Sequence, residues 1–348
     1  MSFATSILLR RLATIIAVSA PIVAHAAEAP AGWELAYDFA VQDVCVDHND
    51  RPLVGISPAD GTGKCPSHRN LRIGEKLPYH KQDWPSKEQA AAHPHGYQRQ
   101  DDYPWSTRLF GTVVIQERIN LGKDADEESE GGGLEIFSDR TFASGLTEAH
   151  AGIKYFYGPR CGSSDWRDKI ADSWVFVGRD FQLDRSGSLV SRITRNLEQC
   201  PDRLSHSYTA WFTRPASFVV GSGGNQHQAT FVTLISNHFG GRSIDKAGDL
   251  ERFYFTRELG LVRWERWESL GRRGEQGVDR PKMAQDLASS GRCAPIEGAP
   301  AKDGNWVMTR CRHWTNIVPP ENAEGDPANT WVNHLMSVPE TRDLVAPR

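Results

Sequence analysis

Apolar and polar residues alternate with a period of two along most of this chain. Such alternation is typical of strands with one buried and one exposed face, and the segments are rich in valine, isoleucine and aromatic residues. Clusters of glycine, serine and asparagine separate them, as expected of turns. The pattern predicts strands at residues 33–44, 109–120, 134–137, 153–157, 174–183, 189–194, 208–213, 218–221, 231–236 and 306–311.

Helical signals are few by comparison. The clearest helix is predicted at residues 281–290, where Asp279 can cap the first turn, Pro281 lies within that turn and Gly291 follows the last residue. Many short strands with few helices predict an all-β fold, either an antiparallel β-sandwich or a jelly-roll with few short helices. The sequence has no internal repeat of fixed period, which disfavours a propeller or a solenoid.

The strongest local signal is a β-hairpin at residues 250–268, with a turn at residues 258–260. Turn chemistry and side-chain pairing predict different registers for it. A left-handed Gly260 in a three-residue loop with a bulge sets Arg252 opposite Arg266, which is unfavourable. We expect the alternative register, in which Arg257 pairs with Gly260. That register pairs Phe253 with Trp264, Phe255 with Val262, Glu251 with Arg266, and Arg252 with Glu265.

One face of this hairpin mixes aromatic and charged side chains, namely Tyr254, Arg263, Glu265 and Trp267. Aromatic rings beside charged groups suit contact with a sugar. The same alternation also fits an outer sheet face whose ion pairs are simply solvated. Both interpretations of this face stay open at the level of sequence.

The N-terminus has the pattern of a cleavable signal peptide. Arg10 and Arg11 precede an apolar stretch that ends in Ala24-His25-Ala26. This stretch is shorter than the ~20 residues that span a bilayer as a helix, so we expect no permanent membrane anchor. The prediction is a signal peptide at residues 1–26 and a single β-rich domain at residues 27–348, periplasmic or secreted. The arginine pair leaves the twin-arginine export route open.

Six cysteines, an even number, suit disulfides in a chain destined for an oxidising compartment. They lie along the chain as three well-separated couples. Nearest-neighbour pairing therefore predicts the disulfides Cys45–Cys65, Cys161–Cys200 and Cys293–Cys311, although spacing alone does not determine connectivity. Zinc is the alternative, but the C-x-x-C spacing that would favour it is missing from the sequence.

Charge and missing motifs narrow the function classes. The chain has 40 basic and 44 acidic side chains and a net charge of −4, which argues against non-specific binding of nucleic acid. The sequence contains no G-x-S-x-G elbow, no H-E-x-x-H, no phosphate-binding G-x-x-x-x-G-K-[ST] and no G-x-G-x-x-G opening a helix. No cofactor is predicted.

Residues 79–105 lack a strand pattern and concentrate aromatic and ionisable side chains, a composition typical of loops that line sites. Trp84, Tyr97 and Trp105 are candidate ligand contacts there. His93 and His95 resemble a metal-binding pair, but the proline between them and the lack of a third ligand argue against a metal. The alternative is an ordered surface loop held by its aromatic residues.

The acidic residues at 43–50 invite comparison with a calcium-binding loop. Arg51 occupies a position where such a loop needs an oxygen ligand, and no glycine or terminal glutamate follows in register. A turn rich in aspartate and asparagine is the better interpretation, so no metal site is predicted.

Two function classes fit these observations. A carbohydrate-active enzyme needs two carboxylates ~5–10 Å apart, or a base with a cation for a lyase reaction. Glu251 and Glu265 are the candidate carboxylates, and His227 and His238 lie in the preceding segment. The other class is a non-catalytic envelope or secreted protein that binds or supports structure, in which aromatic faces contact glycans or another protein. In both classes the predicted partner is a glycan.

Overall fold

The structure, a computed structural model, describes residues 33–83, 97–108, 111–121, 132–135, 142–149, 152–154, 174–178, 181–194, 204–221, 225–272, 278–291, 293–301 and 305–320. The predicted signal peptide, Trp84, Cys161 and Cys200 lie outside these residues. The side chains of Tyr97 and Trp105 also lie outside the description, although their backbones are within it.

The described chain is dominated by strands. Its two α-helices are α1 (Trp33–Ala40) and α2 (Arg280–Ser290), and a short 3-10 helix covers Ile244–Lys246. The strands are β1 (Asp43–Val46), β2 (Ser67–Asn70), β3 (His80–Gln82), β4 (Tyr97–Arg108), β5 (Gly111–Leu121), β6 (Gly132–Glu135), β7 (Phe142–Ala149), β8 (Gly152–Lys154), β9 (Trp174–Val177), β10 (Gly187–Thr194), β11 (Leu204–Val220), β12 (His227–Gly240), β13 (Asp249–Thr256), β14 (Gly260–Ser269), β15 (Trp306–His313) and β16 (Asn316–Val318).

The strands form antiparallel sheets, which confirms the all-β prediction. A six-stranded sheet runs in the order β10-β11-β12-β13-β14-β15, so each strand pairs with its neighbour in sequence. An eight-stranded sheet has seven strands in the order β16-β3-β4-β5-β6-β7-β8, and its eighth strand, β9, pairs with β7. The last strand in sequence, β16, therefore lies beside β3 at one edge. Strands β1 and β2 form a separate pair.

Helix α2 confirms the predicted helix and its ends. Asp279 accepts a hydrogen bond from the backbone N–H of Lys282 at 3.0 Å, which satisfies one of the free donors of the first turn. Gly291 ends the helix in the left-handed conformation, with φ 67°. These local signals act within a few residues, so tertiary contacts do not override them.

The first segment is a correction, because residues 33–40 form helix α1 and not the predicted strand. Ala36, Phe39 and Ala40 are completely buried. Positions 36, 39 and 40 lie on one side of a helix, and positions 36 and 40 also lie on one face of a strand. The apolar cluster that they form with Phe253 and Phe255 of β13 favours the helix.

The hairpin β13–β14 follows the charge-based register over most of its length and departs from it at the turn. From Asp249 to Tyr254 the pairing follows the charges, with Arg252 opposite Glu265 and Phe253 opposite Trp264. Beyond Tyr254 the register shifts by one residue, in the direction opposite to the shift that would bring Arg252 and Arg266 together. The predicted pairs Phe255–Val262 and Arg257–Gly260 are therefore wrong, since Phe255 lies opposite Leu261, Thr256 lies opposite Gly260 and Val262 is the extra residue of a bulge.

Gly260 explains why the turn imposes this bulge. Its φ of 68° is left-handed, which favours glycine. A Cβ at this position would also lie 2.6 Å from a carboxylate oxygen of Asp102, so the turn passes too close to β4 for any side chain. The backbone conformation of the turn therefore sets the pairs Phe255–Leu261 and Thr256–Gly260, and the bulge at Val262 restores the charge-based register for the rest of the hairpin.

Residues 79–83 and 97–104 are the second correction, since they are largely strand β3 and part of strand β4 and are not a surface loop. His80, Lys81, Asp101 and Asp102 are all buried. The period-two pattern of apolar and polar residues is missing here because both faces of these strands are buried. Their polar side chains form hydrogen bonds with one another.

Two of the predicted disulfides are present, Cys45–Cys65 and Cys293–Cys311, with S–S distances of 2.02 and 2.00 Å. The first connects the end of β1 to the residues before β2. The second connects residue 293, just after α2, to strand β15 of the six-stranded sheet. The third predicted pair, Cys161–Cys200, lies outside the described residues.

Candidate functional site

The six-stranded sheet has two faces that differ in what covers them. The α1 face carries Trp211, Phe253, Phe255 and Leu261, which pack against helix α1. The strap face carries Tyr254, Arg263, Glu265 and Trp267, the mixture of aromatic and charged groups that the sequence singled out. We call residues 293–301, which form no helix or strand, the strap, because they lie across this second face.

The strap face is buried. Tyr254 and Glu265 have no exposed surface, and Arg263 and Trp267 keep 4% and 5% of theirs. This corrects both sequence interpretations, since the face is neither a solvated outer surface nor open to a sugar. Backbone carbonyls of the strap accept hydrogen bonds from it, Ala294 from Arg263 at 2.9 Å and Gly298 from Arg252 at 3.1 Å.

Glu265 is the centre of this buried cluster. One of its carboxylate oxygens accepts from Nε of Arg263 at 2.8 Å, and the other accepts from Nε1 of Trp267 at 2.8 Å and from Arg252 at 3.4 Å. Arg252 also donates to Asn237 at 2.7 Å and stacks over the ring of Trp267, 5.4 Å from its centroid. A carboxylate with this many partners holds the layer together.

A row of polar side chains crosses the α1 face, beyond its apolar residues. Cross-strand partners share a face, and the register sets Thr209 opposite His238, His238 opposite Glu251, Glu251 opposite Arg266, and Arg266 opposite Arg310. We call these five residues the polar row. It brings together two of the residues predicted for catalysis, Glu251 and His238.

The polar row becomes more exposed from β11 towards β15. Thr209 is buried, His238 and Glu251 are half-buried, the side chain of Arg266 is 33% exposed, and Arg310 is exposed. The neighbouring row on the same face is aromatic at three of its positions, with Trp211, Phe253 and Trp264. Trp211 and Phe253 are buried under helix α1, whereas Trp264 is half-buried and lies beside the charged groups.

Arg266 is held in place by carboxylates. It pairs with Asp249 at 3.0 Å and with Glu268 at 3.4 Å, and Glu268 also pairs with Arg280 of helix α2 at 3.3 Å. Arg310, in contrast, has no ion-pair partner among the residues that the structure describes. Arg310 therefore supplies the positive charge of this edge that can meet an anionic group.

His238 is neutral over the physiological range. Desolvation lowers the pKa of its imidazole to about 3, against a hydrogen bond with the backbone of Tyr208 that acts in the opposite direction. A neutral imidazole can donate one hydrogen bond and accept another, a combination that suits recognition of hydroxyl groups.

The remaining predicted residues are dispersed. Glu265 pairs with Arg252, the residue that follows Glu251 on β13. Successive residues of a strand point to opposite faces, so Glu265 and Glu251 lie on opposite faces and their carboxylates do not flank one bond. His227 begins β12, opposite Val220, at the far end of the strand from His238. Trp84 and the side chains of Tyr97 and Trp105 lie outside the described part of the structure.

Sequence reasoning missed two aspartate–histidine pairs. His80 Nδ1 lies 2.9 Å from Asp101, and His68 Nδ1 lies 2.6 Å from Asp43. The first pair is buried, whereas the side chain of His68 is 46% exposed. The signal that could have found them is weak, since each pair is separated by more than twenty residues and depends on strand register.

Metals and membrane spans were considered within the described ranges. No group of three or more histidine, cysteine, aspartate or glutamate side chains there is arranged to hold a metal ion. Nor does that part of the chain include a helix with the length and apolar character needed to cross a membrane.

Comparison with protein-family models, with curated proteins and with solved structures finds no match for this chain. Its function therefore has to be inferred from its own residues.

Proposed function

We propose that this chain is an exported protein that recognises a polysaccharide through the polar row, with a polymer carrying carboxylates as the preferred ligand. One observation carries the proposal: Glu251 and His238 lie in register on one face, with Arg266 and Arg310 on the strands beside them. Guanidinium groups match carboxylates in shape and charge. Trp264 of the neighbouring row is half-buried and supplies an aromatic ring of the kind that sugars contact.

The geometry gives more support to binding than to bond cleavage. A hydrolase needs its two carboxylates on one face, and Glu265 is buried on the other. A base works best with a pKa near the operating pH, whereas that of His238 is about 3. We therefore place Glu251, Arg266 and Arg310 as ligand contacts and assign no catalytic role to Glu265.

A periplasmic or secreted location forms part of the proposal. The two disulfides, Cys45–Cys65 and Cys293–Cys311, suit an oxidising compartment. The arginine pair, apolar stretch and Ala-x-Ala site of the N-terminus suit export.

The proposal is tested by incubating the purified, oxidised protein with bacterial, plant and algal polysaccharides, both acidic and neutral. Retention, new reducing ends and absorbance from unsaturated uronates are scored together. Retention on acidic polymers without product is the expected result. Product from any polymer would replace binding with catalysis, and no retention on any polymer would overturn the proposal.

Two variants locate the binding surface. Glu251→Gln keeps the size of the side chain and removes its charge, so it changes the affinity for the retained polymer. Glu34→Gln is the matched control, since Glu34 is exposed on helix α1 and is not a member of the polar row. Equal affinities for both variants would mean that another surface binds the polymer.

A structural role in the envelope is the second candidate. The observation that favours it is the number of buried ion pairs that tie separate segments together, such as Arg312 of β15 with Asp83 after β3, at 2.6 Å. A protein with this role would retain no polymer in the panel and would contact another envelope protein.

A further inference from the structure

Lys81 and Asp102 form a fully enclosed charged pair. Both side chains are 0% exposed, and Nζ of Lys81 contacts a carboxylate oxygen of Asp102. They lie on the neighbouring strands β3 and β4, where Lys81 pairs with Gln100 and Asp102 follows two residues later on the same face. Nothing in the proposed function uses this pair.

The remaining contacts of Nζ are two backbone carbonyls of the hairpin turn. Lys81 donates to the oxygen of Leu259 and, at 2.9 Å, to the oxygen of Leu261. A neutral amine has two N–H groups and one lone pair. If the carbonyls take the two N–H groups, the lone pair is left for the third contact, which is the carboxyl group of Asp102.

The carboxyl group of Asp102 is surrounded by N–H donors. Nε2 of Gln100 donates to one oxygen at 2.7 Å, and the backbone N–H of Leu261 donates to the other at 2.8 Å. The donor from Gln100 can stabilise its oxygen as the negative oxygen that forms when a nucleophile adds to the carboxyl carbon, while the other oxygen, which Lys81 contacts, is the one that leaves. The site therefore holds a nucleophile, an electrophile and an oxyanion donor in one fully buried position.

Burial also favours the reactive forms of both groups. Desolvation lowers the pKa of Lys81 and raises the pKa of Asp102, and the attraction between the two charges opposes both shifts. Transfer of one proton from Lys81 to Asp102 gives a neutral amine beside a neutral carboxylic acid, which removes two charges from a fully buried site.

We propose that Lys81 and Asp102 join covalently, forming an intramolecular amide bond between strands β3 and β4. This inference goes beyond the proposed function and does not depend on it. The Nζ lone pair attacks Cγ of the protonated Asp102 and forms the C–N bond. A proton then moves from Nζ to the departing hydroxyl oxygen, the C–O bond breaks and one water molecule leaves. No oxidant, reductant or cofactor is needed.

The bond is tested by the mass of the full chain after export, reduction and alkylation, measured in denaturant. The expected mass is one water molecule lower than the mass calculated for the alkylated chain from its observed N-terminus. A tryptic map should then show no cleavage after Lys81 and a branched peptide that joins Lys81 to Asp102. A mass that matches the sequence, with Lys81 cleaved normally, would overturn the proposal.

Variants separate this bond from other losses of water. Lys81→Arg keeps the cation and should abolish the branched peptide, while Asp102→Asn should still form it with loss of ammonia. Lys64→Arg, at an exposed position, should leave it unchanged. A succinimide at Asp60-Gly61 also loses one water, so water loss with only linear peptides counts against the bond. The wild-type map decides the question even if Lys81→Arg fails to fold.

Discussion

The two faces of the hairpin β13–β14 carry similar residues and differ in what covers them. On the strap face, Glu265 is fully buried between Arg252 and Arg263. On the α1 face, Glu251 is half-buried opposite Arg266, whose side chain is one-third exposed. Both glutamates come from the same alternating hairpin sequence.

This difference teaches that residue type and strand period do not separate a structural carboxylate from one that meets a ligand. The cover on the strap face comes from residues 293–301, about thirty positions further along the chain, which Cys293–Cys311 holds in place. A buried carboxylate needs all its partners to offset the loss of water, whereas a half-buried one keeps part of its hydration.

The largest effect is expected from Glu265→Gln. This change leaves two buried guanidinium groups without a counter-charge, and breaking a buried pair in this way costs about 3–5 kcal/mol of the free energy of unfolding. Denaturation with urea, followed by tryptophan fluorescence, measures it. Glu251→Gln is the matched variant, for which we expect a loss of about 1 kcal/mol or less.

A result in which both variants lose the same stability would break the comparison between the two faces. A loss below about 1 kcal/mol for Glu265→Gln would show that the strap does not seal its face.

The next effect concerns the strap. Replacing Cys293 and Cys311 by serine removes a disulfide between positions 18 residues apart, which we expect to cost about 3 kcal/mol. Because the strap lies over Trp267, removal of this disulfide should also expose the indole of Trp267 to water and shift its emission to longer wavelength.

The control is the disulfide Cys45–Cys65, with a sequence separation of 20. Its removal should cost a similar amount and leave the fluorescence of Trp267 unchanged. An equal fluorescence shift in both double variants would contradict a local role for the strap.

A smaller effect is expected from pH on the α1 face. The folded-state pKa of His238 is about 3, below its ordinary value of 6.5, so the unfolded chain binds a proton first as pH falls. Its contribution to stability is therefore intact above pH 6.5 and is lost as pH falls towards 3. Because the residue is only half-buried, we expect about 1–2 kcal/mol. His238→Gln should flatten this part of the stability profile, measured by denaturation across the range.

Asp43 gives a profile of opposite sign in the same pH range. Burial raises the pKa of its carboxyl group to about 6, with smaller contributions from Glu258 and Asp38, against the hydrogen bond from His68. Its contribution is present below pH 3.8 and is lost as pH rises to about 6. Asp43→Asn should remove this loss of stability at rising pH. An identical dependence of stability on pH for Asp43→Asn and His238→Gln would contradict these assignments.

The smallest effect on stability is expected from Arg310→Ala. The side chain is exposed and has no described ion-pair partner, so its loss should change the free energy of unfolding by less than about 0.5 kcal/mol. Affinity for an acidic polysaccharide should fall in the same variant and become less dependent on salt. An unchanged affinity would remove Arg310 from the proposed surface.

Sequence reasoning succeeded where the deciding contacts are local. The cap at Asp279 and the left-handed Gly291 define helix α2, and the couples Cys45–Cys65 and Cys293–Cys311 close short loops. The paired charges of the hairpin gave the register of its outer part, as Arg252 and Glu265 show.

It failed where distant segments decide. Residues 33–40 satisfy both a strand and a helix pattern, and contacts with β13 favour the helix. Strands β3 and β4 are polar and buried, because the partners of Lys81 and Asp102 lie in the hairpin turn about 160 to 180 positions away. The meeting of Glu251 and His238 depends on the register of β12 with β13, which no local signal encodes.

The most direct test of the central claim measures the affinity of Glu251→Gln and Glu265→Gln for the polysaccharide that the wild-type protein retains, under conditions where both variants are folded. We predict that Glu251→Gln tightens binding of an acidic polymer at unchanged fold, because it removes a like charge from the surface, and that the folded fraction of Glu265→Gln binds as tightly as the wild type. Weaker binding by Glu265→Gln with normal binding by Glu251→Gln would contradict the assignment of the two faces.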